Sequence, residues 1–203
     1  KVGTGKTNII IMGIHERKRI GLSGKNLIVV PNNVLEAFES AHRQLYPQDH
    51  ILVIHPEDFK PAYRQNILTK IRDENYVAVY LPFSSFGAIS MSRQYKLDRQ
   101  SKLIQSYRAK ATNAPEQWER ARLETIVKQQ SKKLAEMMTD LPYDEYLCFD
   151  ELGITTLVVD EAHNFKNISL NSHTDGVVGM HIKGSKKCDE MYEKVQFVRN
   201  HDG

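Results

Sequence analysis

The chain has few cysteines, no long apolar run and no initiator methionine. Its 203 residues include two cysteines, Cys148 and Cys188, whose spacing fits neither a disulfide framework nor a metal-binding pattern. No apolar run approaches the roughly 20 residues of a membrane span, so we expect a cytoplasmic protein without membrane contact. The first residues already lie within a motif, which suggests a piece of a longer chain.

A strong excess of one charge is also absent. The net charge of +3 permits an anionic partner without requiring one. The basic excess is concentrated between residues 93 and 140, which carry 11 Lys and Arg against 6 Asp and Glu. A solvated helical surface and a nucleic-acid contact would both produce it, so charge alone leaves the partner open.

The first seven residues, KVGTGKT, match the last seven positions of the phosphate-binding loop pattern, which needs one more Gly before them. Gly3 and Gly5 would let backbone amides approach phosphate oxygens. The Lys6 ammonium would lie between the β- and γ-phosphates, and the Thr7 hydroxyl would bind Mg²⁺. Residues 8–14 would form the helix behind the loop. A flexible glycine loop is the alternative.

A second motif ends an apolar, β-branched run. Residues 157–159 are followed directly by Asp160 and Glu161, which predicts a buried parallel strand that carries two carboxylates to the carboxyl edge of a sheet. One carboxylate would hold Mg²⁺ through water, and the other would activate an attacking water. A solvated helix start is the alternative for an isolated pair. Together with the opening motif, the pair predicts a magnesium-nucleotide site.

Strand and helix candidates alternate through residues 1–91. Strands are predicted at residues 26–31, 51–54 and 76–81, and helices follow the first two, with Asn32 and Asn33 as caps of the first helix. This alternation predicts an α/β fold with a mostly parallel sheet and helices on both faces.

Residues 92–140 lack a strand candidate and predict an inserted helical hairpin. Asn113 would cap its second helix, with Glu116 at the third position. We expect Trp118, Tyr95 and Tyr107 to belong to the hairpin core, with base stacking as the alternative. One covered stripe is predicted on the second helix, formed by Leu123, Ile126, Val127, Leu134, Met137 and Met138.

Residues 141–203 would complete the α/β domain. A glycine-containing segment at residues 169–187 predicts a mobile loop, in which His173 and His181 are surface histidines rather than metal ligands. Ser185 would cap a last helix. The apolar face of that helix would be formed by Met191, Val195 and Val198.

These motifs resemble superfamily-two helicases. Residues 160–163, Asp-Glu-Ala-His, are similar to the DEAH form of motif II, and residues 164–167 resemble its continuation in the Swi2/Snf2 branch. Residues 27–38 and 81–86 are similar to motifs Ia and Ib of that branch. The Glu-Leu-Gly before motif II and the tail from residue 179 resemble the large helicase-methylase proteins of phages and conjugative elements, which implies a bacterial or phage gene.

The resemblance implies a RecA-like P-loop NTPase domain and a set of roles. ATP would be bound by Gly3, Thr4, Gly5, Lys6 and Thr7, and Mg²⁺ by Thr7 and Asp160. Glu161 would activate water with the help of Lys6 and Asp160, and His163 would relay the nucleotide state. DNA would be contacted through its backbone, independently of sequence, by Pro31, Asn32, Ser84 and Ser85.

The 203 residues lack parts that the family has: the strand before the phosphate loop, motif III and the second RecA-like domain. That domain supplies an arginine finger worth about 10³ to 10⁵ in rate, so we expect negligible ATP hydrolysis by this fragment alone. The missing strand would leave backbone groups unpaired, which predicts self-association unless another segment fills the gap.

The sequence therefore favours the N-terminal motor-domain fragment of an ATP-dependent, Snf2-like DNA helicase or translocase. One alternative is a non-catalytic nucleic-acid-binding or scaffolding module with vestigial ATP motifs. A P-loop NTPase of another branch, such as a protein-remodelling ATPase, is a third reading that the segment similar to motif Ia disfavours.

Overall fold

A computed structural model describes residues 5–167 and 185–201. Gly3, Thr4, His173 and His181 fall outside these residues, and so does the predicted mobile loop up to residue 184. The chain divides into two compact units, one of residues 1–90 and 146–203 and the other of residues 91–145. No helix in the described part of the chain is long and apolar enough to cross a membrane.

The first unit is built on a four-stranded sheet. Its strands, in the spatial order β2-β3-β1-β4, are β1 (Asn26–Val30), β2 (Ile51–Val53), β3 (Ala78–Pro82) and β4 (Thr156–Val159). All three pairings are parallel, and Val29 lies opposite both Leu81 and Val159. The predicted α/β class with a parallel sheet is confirmed, and the architecture fits a RecA-like fold. Parallel pairing brings the carboxyl ends of all four strands to one edge.

Seven helices are present in the described residues. In chain order they are α1 (Lys6–Arg19), α2 (Leu35–Leu45), α3 (Pro61–Asp73) and α4 (Phe83–Gly87), then α5 (Arg93–Asn113) and α6 (Gln117–Asp140) in the second unit, and α7 (Lys186–His201) in the first. Three short 3₁₀ helices lie at Asn32–Val34, Phe149–Glu151 and Ala162–Phe165.

Both faces of the sheet are covered. Successive residues of a strand point to opposite faces. On one face, Ile28, Val30 and Tyr80 form a core cluster with Ile14 of α1 and Phe38 of α2. The alternate residues are also 0% exposed, namely Leu27, Val29, Val79 and Leu81. Continuous burial explains why β1 and β3 are apolar along their length rather than alternating.

β4 is less buried than the sequence predicts. All four of its residues are only partly buried, because β4 is the last strand of the sheet and has a strand neighbour on one side only among the described residues. The predicted strand at residues 76–81 is displaced as well, since β3 begins at Ala78 and ends at Pro82.

Two predicted helix caps are wrong. Asn32 and Asn33 form a 3₁₀ turn before α2, whose N-cap position is taken by Val34 without a side-chain hydrogen bond. Asn113 is the last residue of α5, and Glu116 occupies the N-cap position of α6. The 3₁₀ turn that begins at Asn32 separates the two asparagines from the N-cap position of α2, and α5 continues through Asn113, which moves that residue away from the N-cap position of α6.

In the second unit, α5 and α6 pack against each other. The Gln100 side-chain amide donates to the backbone oxygen of Gln130 at 3.1 Å and to its side-chain oxygen at 3.0 Å. Ile126 is buried, but Trp118 is 65% exposed and Met138 is 58% exposed. The prediction that these two belong to a covered core is wrong, because each helix of a packed pair buries only one stripe.

The last helix begins as predicted. The Cys188 backbone N–H donates to the Ser185 hydroxyl at 3.3 Å, so Ser185 caps α7, and residues 186 and 187 are helical rather than part of a loop. Met191 and Val198 are buried as predicted, whereas Val195 is 39% exposed. Lys194 takes its place on the buried face, and its ammonium donates to the Phe86 carbonyl at 2.8 Å.

Candidate functional site

The two carboxylates of the DEAH segment lie at the carboxyl edge of the sheet. Beyond the last residue of β4, the Asp160 backbone N–H donates to the Val29 carbonyl at 2.9 Å, which extends the parallel ladder by one hydrogen bond. The Asp160 side chain then accepts a hydrogen bond from the Glu161 backbone N–H at 3.0 Å. Asp160 is thereby fixed to the neighbouring strand, and Glu161 starts a turn.

The backbone of Glu161 is left-handed, with φ 50° and ψ 43°. It is the one non-glycine residue with a positive φ in the described part of the chain, and this conformation costs about 1–3 kcal/mol. Asn164 holds the turn, because its backbone N–H and its side-chain amide both donate to the Glu161 carbonyl, at 3.1 Å and 2.9 Å. The fold therefore maintains a strained backbone at the predicted general base.

The side chain of Glu161 contacts two predicted site residues. Its Oε1 lies 3.4 Å from Lys6 Nζ, across 155 positions of sequence, and its Oε2 lies 3.1 Å from His163 Nδ1. The three side chains are 39%, 55% and 70% exposed, respectively. Exposed ion pairs contribute about 0–1 kcal/mol, so these contacts can exchange for a ligand at little cost.

The start of α1 supplies the other half of this cluster. Gly5 is the N-cap residue and has φ 71°, a conformation that glycine adopts without strain. Its carbonyl accepts the first helical hydrogen bond, from the Ile9 N–H at 3.0 Å. Lys6 and the half-buried Thr7 are the first two residues of the helix, where unpaired amides and the helix dipole favour an anion.

The donor set suits Mg²⁺ bound together with a nucleotide. Mg²⁺ in proteins is usually held by one or two carboxylates, water and substrate phosphates rather than by a complete protein cage. Thr7 and Asp160 offer a hydroxyl and a carboxylate of this kind. Within residues 5–167 and 185–201, no three His, Cys, Asp or Glu side chains come together as a metal cage.

A groove of about 650 Å³ opens along the same unit, lined by Asn32, Phe83, Ser84, Gly87, Lys186, Lys187 and Glu190. Of the residues predicted to follow a nucleic-acid backbone, Asn32 and Ser84 meet in this groove. Pro31 is half-buried at the end of β1 and does not line it. Ser85 is 3% exposed, so its hydroxyl has almost no contact with solvent.

Sequence reasoning did not identify Asn164, Lys186 or Lys187. Asn164 lies within the DEAH continuation, but nothing in the local sequence signals that its neighbour has a left-handed backbone. The two lysines belong to a segment predicted as a loop, and a Lys-Lys pair at a helix start carries no specific signal. Their position beside Asn32 and Ser84 depends on contacts between residues more than 100 positions apart.

Comparison with known proteins identifies the family. The chain matches the family described as a probable helicase domain over residues 1–203. Comparisons with curated proteins and with solved structures found no match. Since the family match covers the whole chain, the protein with its parallel sheet and its Lys6–Glu161 contact belongs to the probable helicase domain family.

Proposed function

We propose that the chain is the motor-domain fragment of an ATP-dependent DNA helicase or translocase of the Swi2/Snf2 type. Membership of a helicase family supports the broad class. The observation that carries the ATP-dependent mechanism is the convergence of Lys6 and Glu161 at 3.4 Å, from positions 155 residues apart in the chain. A phosphate-binding lysine and a water-activating carboxylate must meet at one place for nucleotide hydrolysis.

Each side chain of the site has a distinct task in this proposal. Lys6 neutralises charge on the β- and γ-phosphates of ATP, and Thr7 and Asp160 hold Mg²⁺. The metal, when bound, offsets the negative charge that develops on the phosphates. Glu161 orients the attacking water and accepts its proton, and its turn, held by Asn164, keeps the carboxylate in place before ATP arrives.

His163 Nδ1 lies 3.1 Å from Glu161 Oε2, while Lys6 contacts the other oxygen of the same carboxylate. When Lys6 turns to phosphate, its ammonium no longer offsets the charge of the carboxylate that His163 contacts. His163 is thus suited to report whether a nucleotide is bound. A second RecA-like domain of the same parent protein would supply the arginine finger, so the fragment alone is expected to hydrolyse ATP at a negligible rate.

The test is DNA-stimulated ATP hydrolysis by the full-length protein that carries this chain. We expect Glu161→Gln to lower kcat by about 10²- to 10⁴-fold, the contribution of a general base, with nucleotide binding retained. Glu16→Gln is the matched control, since Glu16 is also an exposed carboxylate paired with a basic side chain, Arg19 at 2.8 Å. Unchanged hydrolysis in Glu161→Gln contradicts the mechanism. DNA binding without any ATPase activity favours a non-catalytic nucleic-acid-binding module instead.

A further inference from the structure

We propose that Lys186 and Lys187, at the start of α7, bind the phosphates of a single DNA strand together with Asn32 and Ser84. This inference rests on the proposed function and adds to it two basic residues that lie outside the helicase motifs named above. We call Lys186 and Lys187 the basic wall of the groove. The four side chains come from three separate segments of the chain and line one groove of about 650 Å³.

Lys186 is poised for an anionic ligand. Its side chain is 93% exposed, and its contact is with Glu190, one helical turn later, at 3.9 Å. Such an exposed pair contributes little and breaks easily. The ammonium can therefore turn from Glu190 to a phosphate oxygen without loss of a structural bond.

Lys187 is held differently, by two aromatic rings. Its ammonium lies 4.5 Å from the ring centre of Phe165 and 5.1 Å from that of Phe83, and the two rings meet edge to face at 5.3 Å. Ring faces attract a cation electrostatically. This contact leaves the N–H groups of the ammonium able to donate hydrogen bonds to oxygen atoms. No carboxylate within the described residues forms a salt bridge with Lys187. Its position is fixed while its N–H donors remain available.

The ring contacts also join the groove to the nucleotide cluster. Phe165 ends the 3₁₀ helix that begins directly after Glu161, and Phe83 follows β3 and begins α4. Asn167 at the end of the same segment accepts a hydrogen bond from the Ser185 backbone N–H at 2.9 Å. Lys187 thus contacts the segment that begins directly after the proposed general base.

The chemistry of the groove fits phosphate rather than bases. Two ammonium groups, a hydroxyl and an amide are the donors that proteins most often direct at phosphate oxygens. One carboxylate, Glu190, opposes them. Removal of the Glu190 carboxylate should strengthen binding of the same strand, whereas removal of an ammonium group should weaken it.

The experiment measures binding of fluorescently labelled oligo(dT) to the full-length protein, by anisotropy over a salt series. For single strands, each neutralised phosphate contributes about 0.7 to the slope of log K against log salt. We expect Lys186→Gln to reduce the slope by about 0.7, and the double variant with Lys187→Gln by about 1.4. Glu190→Gln should raise affinity at low salt.

Lys132 provides the matched control. It is 80% exposed on α6 and pairs with Glu136 one turn later at 3.8 Å, the same arrangement as Lys186 and Glu190. Lys132→Gln should leave affinity and salt slope unchanged. The Lys186 side chain is 93% exposed, so Lys186→Gln tests the proposal even if Lys187→Gln unfolds the groove. An equal loss in Lys132→Gln would show general electrostatic attraction and overturn the proposal.

Binding of Mg-ATP, measured separately in each variant, distinguishes this inference from the proposed function. If the wild type binds Mg-ATP but the lysine variants bind oligo(dT) with unchanged affinity and slope, only the basic wall is wrong. If the wild type binds Mg-ATP and no oligo(dT), the wall is likewise wrong. If it binds no Mg-ATP at all, the proposed function fails independently of the lysines.

Discussion

Two polar clusters involve the same helix, α1, and differ in exposure and in bonding. The edge cluster, at the start of the helix, consists of Lys6, Asp160, Glu161 and His163. The buried cluster, nearer the end of the helix, consists of His15, Asp49, His42 and Tyr80. The edge cluster has its side chains partly in solvent, whereas His42 and Tyr80 are 0% exposed.

The buried cluster is a continuous chain of hydrogen bonds. Asp49 Oδ2 lies 2.8 Å from His15 Nδ1 and 2.9 Å from His42 Nε2, and His42 Nδ1 lies 2.6 Å from the Tyr80 hydroxyl. The ring of His15 also stacks on Tyr46 with centres 3.7 Å apart. These contacts connect α1, α2 and β3 through polar atoms that have exchanged water for protein partners.

This contrast indicates that the buried cluster stabilises the fold, whereas the edge cluster is suited to bind a ligand. A buried polar atom that loses its partner costs the full desolvation free energy, about 1–3 kcal/mol, so the buried cluster must keep its contacts. The exposed contacts of the edge cluster contribute about 0–1 kcal/mol and can be exchanged for those of a ligand. One end of α1 is therefore anchored, and the other end can change partners.

The largest effect on stability is expected from Asp49→Ala. This change removes the acceptor shared by His15 and His42 and should lower the free energy of unfolding by about 2–3 kcal/mol. Urea unfolding followed by circular dichroism gives the value. Asp73→Ala is the control, because Asp73 is an exposed carboxylate paired with Arg72 at 2.6 Å, and its loss should leave stability unchanged. Equal effects of the two variants would show that the buried cluster has no special structural role.

Tyr80→Phe should lower the free energy of unfolding by less, about 1–2 kcal/mol at neutral pH, because it leaves His42 Nδ1 without its hydroxyl partner. Burial, followed by the charge of Asp49, raises the pKa of Tyr80 well above its usual value. Above about pH 10, where an exposed tyrosine ionises, the unfolded chain releases a proton that the folded chain retains, so stability falls as pH rises. Tyr80→Phe should remove this part of the alkaline decline. An identical decline in wild type and variant would contradict the assignment.

The smallest change in the free energy of unfolding is expected at the edge cluster, and there it should be an increase. Glu161→Gly relieves the left-handed backbone and gives up only exposed contacts, so it should raise the free energy of unfolding by about 1 kcal/mol. Glu36, exposed in the first turn of α2, is the control, because Glu36→Gly should lower stability by about 1 kcal/mol. A loss of stability in Glu161→Gly would show that the strain is not stored at this position.

The sequence predicted what depends on local pattern. The apolar runs of β1 and β3 and the cap at Ser185 follow from neighbouring residues, and all three are found. The exposure of Trp118 was not predicted, because an aromatic side chain has the same local signal whether or not a partner covers it. The buried cluster was also missed, since His15, Asp49 and Tyr80 share no spacing and meet only through tertiary contacts.

The candidate site also combines features that the local sequence predicts with features that only the fold determines. The composition of the phosphate-loop and DEAH segments predicts Lys6 and Glu161 as site residues, and the structure places them in contact. Their separation by 155 positions means that only the fold determines the distance between them. The left-handed turn at Glu161 and the contribution of Asn164 are likewise properties of packing, because no residue type in the segment requires a positive φ.

The most direct test of the central claim is Mg-ATP affinity of the full-length protein, measured by calorimetry in Lys6→Ala and Arg19→Ala. Each variant removes one exposed basic side chain of α1 that pairs with a carboxylate. We expect a loss of about 10- to 100-fold for Lys6→Ala, the value of charged hydrogen bonds to phosphate, and no change for Arg19→Ala. Equal affinity in the two variants would contradict this expectation, because Lys6 would then have no part in nucleotide binding.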